Sequence, residues 1–435
     1  MCNNKEYIEI IKKELIPAFG CTEPIAIAFA SAKASETLGS TPKKIVASLS
    51  SNIIKNANSV TVPGTNGRKG IEISLAAGAL LADSSKGLEL LSGIDKNKLS
   101  LCDKIIEDGS VEVSLAKDKA GLFIEVTCIN DDSTASVTIL DSHTNIVKIV
   151  KNGKIIFEKP TNEGDFEKFD FSFDKIYDFA KNCDYGEIKE ILDRQISYNK
   201  KIADEGLDND WGANIGKLIL NNESSNYYEK LAAFAAAGSD ARMNGCELPV
   251  VINSGSGNQG ITASVPILLY ANDNGFSDDD LYKALIFSNL ISLYIKNEVG
   301  KLSAYCGVVS ASAASISSIA FINNEDKKIV EETITNALAV NSGIICDGAK
   351  SSCAMKIASS IRNASLAYLQ AKSDNSFEVG DGIVKDNIDK TIETVGHIAK
   401  YGMKTTDEVV LSEMIGDSSY KKKIKSIKYP LNLKI

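Results

Sequence analysis

The rhythm of hydrophobic and polar positions changes twice along this chain. In EYIEIIKKELIP the apolar side chains recur at helical spacing, which predicts one amphipathic helix over residues 5–16 that stops at Pro17. The run IAIAFASAKASETLG that follows Pro24 is apolar and small all round, the pattern of a closely packed buried helix. From Thr41 the texture changes. KKIVASLS alternates as a strand does, and GIEISLAAGALLA reads as a helix. SVEVSLAK, LFIEVTCIN, ASVTILD and NIVKIVKNGKIIFEK then predict a run of strands, with Asn152-Gly153 as a hairpin turn. From Phe171 onward the pattern turns helical and stays so. NYYEKLAAFAAAGSDARM, DDLYKALIFSNLISLYIKNEVG, SAYCGVVSASAASISSIAFI and DKKIVEETITNALAV are rich in Ala, Ser and Gly, which permits tight helix–helix contact. The expected fold class is α+β: a large, mainly helical catalytic domain with a smaller α+β domain inserted. The expected boundaries are a helical N-terminal segment over 1–40 that packs on the catalytic domain, an α+β domain over 41–170, and the helical domain over 171–435.

Length agrees with that division, since 435 residues suffice for two or three domains with a real core. The net charge of −9, with no long basic run, argues against nucleic acid or a membrane surface as partner. The start of the chain is polar and unlike a signal peptide, and no apolar stretch reaches membrane-spanning length, so a cytoplasmic protein is expected. The helices rich in Ala and Ser suit packing within one chain or in a homodimer equally.

Nine cysteines in such a chain point away from a disulfide framework and toward buried thiols, reactive thiols or metal ligands. Histidine is scarce: only His143 and His397 occur, which leaves little room for a His-rich zinc site. Cys306, Cys346 and Cys353 sit among small residues. On one straight helix Cys346 and Cys353 would share a face about 10 Å apart, too wide for one compact metal centre. Gly348 relieves this if a helix ends near Ile345, with Gly348 as its left-handed cap, and a second helix starts near Ser351 or Ser352. Three thiolates suit a soft metal centre, and three structural cysteines in a packed helical domain suit the same spacing. Cys2, Cys102, Cys128 and Cys183 read as structural. His143 falls in a turn and His397 on a surface; neither makes a case for chemistry.

The stretches FGCTEP, SDARMNG, NSGSGNQGITA, YCGVVSA, CDGAKSSCAMK and GMKTTDEVVL together resemble the oxygen-sensitive L-cysteine desulfidases, relatives of the alpha chain of iron–sulfur L-serine dehydratases. The resemblance runs from Gly20 to about Leu411. It implies a 4Fe-4S cluster held by Cys306, Cys346 and Cys353, with one iron open as a Lewis acid. It implies a small amino-acid substrate and the conversion of L-cysteine to pyruvate, ammonia and hydrogen sulfide. It also gives Cys21 a role as general base or as a further group at the cluster.

The residues add their own argument. Cys21 precedes a helix whose first turn holds Thr22, Glu23 and Pro24, and a helix N-terminus lowers a thiol pKa. Thr22 and Glu23 therefore join the substrate-facing set. In NSGSGNQG, the Gly-rich loop with Ser254, Gly255, Asn258 and Gln259 can cradle a carboxylate, or it is a plain turn before a helix. Arg242 can clamp a carboxylate, or pair with Asp240 or Glu247. An L-serine dehydratase using the same cluster, a non-catalytic cluster-binding redox sensor and a pyridoxal-phosphate enzyme are the alternatives.

Overall fold

The computed structural model describes residues 4–416 apart from 93, 117, 118, 120, 161–168, 223, 224, 301 and 302. Cys2 lies outside the described residues. The helices are α1 Asn4–Glu14, α2 Thr22–Leu38, α3 Ser51–Ala57, α4 Ile71–Leu81, α5 Lys96–Glu107, α6 Phe173–Asn182, α7 Lys189–Asp208 and α8 Ile215–Leu220. They continue as α9 Tyr227–Met243, α10 Gly257–Asn274, α11 Asp278–Val299, α12 Gly307–Ile322, α13 Lys327–Asn341, α14 Cys353–Lys372, α15 Ile388–His397 and α16 Lys404–Ile415. The strands are β1 Pro17–Phe19, β2 Lys44–Leu49, β3 Val111–Leu115, β4 Phe123–Ile129, β5 Thr134–Leu140, β6 Ile146–Lys151, β7 Lys154–Glu158 and β8 Pro249–Val251. The fold is α+β with a large helical portion.

One sheet has the order β3-β2-β4-β5-β6-β7. β2 and β3 run parallel and every other pairing is antiparallel. Alternation sets its register: in β2 every second side chain, Ile45, Ala47 and Leu49, is fully buried. Asn152 and Gly153 both take positive φ, 51° and 75°, in the turn between β6 and β7. α2 covers β4 and β5 and packs against α4. α1 touches α11, and β1 pairs antiparallel with β8. The segment 1–40 therefore joins both parts of the molecule: α1 and β1 reach the helical part, while α2 lies on the sheet.

The helical part is built around α12, which packs against α10, α11, α13 and α14. Every residue from Val308 to Ile322 is buried. Its serines make this possible. Ser312, Ser315, Ser317 and Ser318 donate their hydroxyls to carbonyls three or four residues back, at 2.8–3.3 Å. These four hydroxyls are thus satisfied inside the helix's own outline, and neighbouring helices can approach closely. Among the described residues no helix is long and apolar enough to cross a membrane.

Candidate active site

Cysteines stand at the N-terminal ends of three helices. Cys21 is the N-cap of α2, Cys306 is the N-cap of α12, and Cys353 is the first residue of α14. A fourth helix, α10, begins beside them at Ser256, whose hydroxyl accepts from the Gln259 N–H. Exposed N–H groups and the positive end of each helix dipole favour anions here.

Cys306 and Cys346 lie side by side because their backbones pair. Tyr305 and Ile345 form an isolated antiparallel bridge. The Cys306 N–H donates to Ile344 O at 3.0 Å, and the Cys346 N–H donates to Ala304 O at 2.7 Å. Cys346 is therefore on an extended segment and not at a helix end. α13 stops at Asn341, and the edge bonding of residues 344–346 replaces the expected continuation. Gly348 has φ +90°, but it does not cap a helix. It brings the chain against α3: a Cβ at Gly348 would lie 2.4 Å from the Lys55 carbonyl oxygen. The next helix does start where expected, at Cys353.

The Cys306 thiol hydrogen-bonds the Cys346 sulfur, which holds Cys346 below the usual thiol range; the Lys55 charge adds to this, and Cys306 is pushed up in return. Cys353 donates to Gly348 O at 3.6 Å and is pushed up by burial. Ala349 and Cys353 pack against a small cluster of Cys21, Val60 and Met243. The four thiols thus come together in one region, with Cys21 and Cys306 buried and Cys346 and Cys353 partly exposed. Among the described residues no three His, Cys, Asp or Glu side chains converge as they would on a single metal ion. A four-iron cluster is larger than an ion and needs its thiolates spread around it. The donor chemistry fits: Cys306 and Cys353 stand at helix N-termini, Cys346 pairs with Cys306, and the charges of the buried Lys55 and Lys296 act on the thiols.

Cys21 departs from expectation. Its thiol is pushed well above the usual range, first by burial and then by the Glu23 carboxylate, to which it donates at 3.3 Å. The helix dipole does not offset these two effects. Glu23 also accepts from the Thr22 hydroxyl at 3.0 Å and the Asn56 amide at 2.9 Å, and His143 Nε2 lies 3.9 Å from it. Burial alone would raise the Glu23 carboxyl, but His143 and Cys21 outweigh it and hold the group at about 2. The Thr22 hydroxyl donates to Gly255 O at 2.9 Å as well, tying the start of α2 to the Gly-rich loop.

That loop comes to the same region. Ser254 takes positive φ, 49°, and Gly255 lies so close to His143 that a Cβ there would be 3.0 Å from its ring. Arg242, at the end of α9, is 3% exposed. It pairs with neither Asp240 nor Glu247. It donates to Asn258 Oδ1 at 3.2 Å and Gly20 O at 2.8 Å, while its Nε has no partner. Gln259 Oε1 is buried without a partner, and its amide abuts Gly307 at the start of α12, where a Cβ would clash at 2.5 Å. His143 Nε2 makes no hydrogen bond either. These orphan atoms surround the thiols, as a chamber built for a polar ligand requires.

The structure brings together Cys21, Thr22, Glu23, Arg242, Ser254, Gly255, Asn258, Gln259, Cys306, Cys346 and Cys353. It adds four that the sequence reading did not single out: His143, Asn56, Lys55 and Lys296. His397 lies exposed beside Glu393. Cys102, Cys128, Cys183 and Cys246 are buried elsewhere, with thiols raised by burial.

The family model described as serine dehydratase alpha chain matches residues 85–412. A UPF0597 protein of Finegoldia magna is 46% identical over 415 residues, covering 94% of this chain and 99% of that protein. UPF0597 proteins of Desulfitobacterium hafniense and Lachnoclostridium phytofermentans are 44% and 45% identical, over 95% and 94% of this chain and 97% and 99% of theirs.

Proposed function

This chain belongs to the serine dehydratase alpha-chain family, a family of lyase type, and from that premise we propose that it is an iron–sulfur L-cysteine desulfidase. The observation that carries the reading is the meeting of Cys306, Cys346 and Cys353 with Cys21, Arg242 and the Gly255–Gln259 loop in one largely buried region. When bound there, a 4Fe-4S cluster on the three cysteines supplies a Lewis acid for the leaving group. The choice of cysteine over serine rests on the likeness of the cysteine motifs to the desulfidases. Membership of the serine dehydratase alpha-chain family favours serine as the second reading.

The remaining work falls to side chains. Arg242 has no carboxylate partner among the described residues, and its free Nε–H is available to the substrate carboxylate. Asn258 orients that guanidinium. The Gln259 amide and the loop N–H groups fix the rest of the substrate head. Elimination moves one proton from Cα to the departing sulfur. Cys21 can serve both ends. Resting as a thiol, it gives its proton to the leaving sulfur, and the thiolate so formed takes the proton from Cα. Glu23, kept ionised beside His143, holds the thiol in position. The aminoacrylate product then tautomerises and hydrolyses in water to pyruvate and ammonia.

The test is anaerobic reconstitution with iron and sulfide, followed by assay of sulfide and pyruvate from L-cysteine, with L-serine in parallel. Sulfide release that is lost in Cys21→Ala supports the desulfidase. Turnover of serine alone moves the assignment to a dehydratase. A protein that takes up no iron and turns over neither amino acid overturns both.

A further inference from the structure

The buried cations around the thiols do not balance within the described residues. The ammonium groups of Lys55 on α3 and Lys296 on α11 are both buried, at 1% and 2% exposure. One carboxylate, Asp407 on α16, lies near both. It is taken by Lys55 at 2.5 Å and by the Asn52 amide at 3.1 Å. Lys356, close by, is paired with Asp347. Lys350 is half-buried and donates to Lys55 O at 3.5 Å. Lys296 donates one hydrogen bond, 2.7 Å to Gly300 O, and has no ion-pair partner among the described residues. An ammonium carries three donors, and burial without a counter-charge is among the most unfavourable placements a side chain can have. The charges that act on Lys296 are those of the Cys346 and Cys306 sulfurs, then Lys55 and Asp407.

We propose that Lys296 is the counter-charge of the three-cysteine centre, a positioning residue that makes the chamber hold a net-anionic cluster. The inference rests on the cluster reading above. A four-iron, four-sulfide core on three thiolates carries net negative charge, and a bound amino-acid carboxylate adds to it. Lys55 is already neutralised by Asp407 and Arg242 is assigned above to the substrate carboxylate, so Lys296 is the buried cation left for the cluster. The α11 backbone fixes where that charge stands, and methionine, one heavy atom shorter, removes the charge while keeping most of the unbranched stem.

Wild type, Lys296→Met and Lys296→Arg are purified and reconstituted anaerobically. Three quantities are read: iron retained against a chelator, the midpoint potential of the cluster by EPR-monitored titration, and the melting temperature with and without iron. In Lys296→Met, iron affinity falls about 10- to 100-fold, as for loss of other outer-shell partners. The midpoint potential drops, because a positive charge that favoured the reduced state is gone. The iron-free protein melts at the wild-type temperature or above it, since an unpaired buried ammonium has been removed. Lys296→Arg keeps iron affinity within a few-fold of wild type.

Equal iron affinity and equal potential in wild type and Lys296→Met would overturn the proposal and leave the cluster reading standing. An iron-free Lys296→Met that melts well below wild type would also overturn it, by showing a purely structural role. Absence of iron from the wild type itself would overturn the cluster reading, and this inference with it.

Discussion

Asp240 gives a quantitative test of how the helical part is built. It lies on α9, two residues before Arg242, and is fully buried. Its Oδ2 accepts from the Gly216 N–H at 3.1 Å, at the start of α8, and its Oδ1 has no partner. Burial dominates and pushes its pKa from 3.8 up to about 6; the backbone N–H groups of Gly216 and Ile215 offset only part of this. Below pH 3.8 both folded and unfolded chains hold the proton, and the site carries no penalty. As pH rises, the unfolded chain ionises first. The stability held at low pH is lost progressively until the folded carboxyl also ionises near pH 6. A shift of about two units corresponds to about 3 kcal/mol at pH 8, and to about 1 kcal/mol at pH 4.5. Asp240→Asn keeps an oxygen for the Gly216 N–H and never ionises. It should be more stable than wild type by about 3 kcal/mol at pH 8. For 435 residues that is a rise of about 3 °C in melting temperature. The gain should shrink to about 1 °C at pH 4.5. Differential scanning calorimetry of both proteins across pH 4.5–8 reads this directly. An Asp240→Asn protein that melts at or below wild type at pH 8 would show that the ionised carboxylate is stabilised, and the reasoning would be wrong.

Other residues make separate predictions. Gly348→Ala places a methyl 2.4 Å from the Lys55 carbonyl on a left-handed backbone, so it should cost at least ~2 kcal/mol and reduce iron uptake; thermal melts and iron analysis report both. Arg242→Met should raise KM for the amino acid about 10- to 100-fold, the worth of a charge-assisted hydrogen bond, and steady-state kinetics would show it. In the iron-free protein, a two-electron thiol oxidant such as diamide should join Cys306 to Cys346, each sulfur losing one hydrogen; peptide mass spectrometry should find that bridge in preference to one involving Cys353, and none in Cys306→Ser.

Much of this was legible in the sequence because its signals are local. Alternation marks β2 to β7, and the Asn152-Gly153 turn follows from two residues that tolerate positive φ. The start of α14 at Cys353 follows from the break at Gly348. The unread parts depend on contacts across the chain. β1 and β8 are three residues each, and nothing in their own composition distinguishes them from loops. The backbone pairing that carries Cys346 past the end of α13 needs its partner at residues 304–306. Helix position, visible in sequence, points to an acidic Cys21; burial beside Glu23, which sequence does not show, reverses it. His143 sits in a turn of the sheet and acquires its neighbours only by folding. Lys296 left one clue: it directly follows a stretch of α11, residues 284–295, that carries no charged side chain. Residue type alone cannot tell such a lysine from one that reaches solvent.

The pairing of Pro17 with Val251 sets an order on synthesis. A ribosome delivers the sheet of β2 to β7 complete before β8 exists, and antiparallel neighbours close in sequence can form as they emerge. Cys21 cannot reach its place until β8 has been made, and the chamber waits further for residues 306, 346 and 353. Any cofactor must therefore be installed in a chain that is almost finished. Until then the nascent protein carries its reactive thiols in the open, and the interval between their synthesis and their enclosure is when oxidants can reach them.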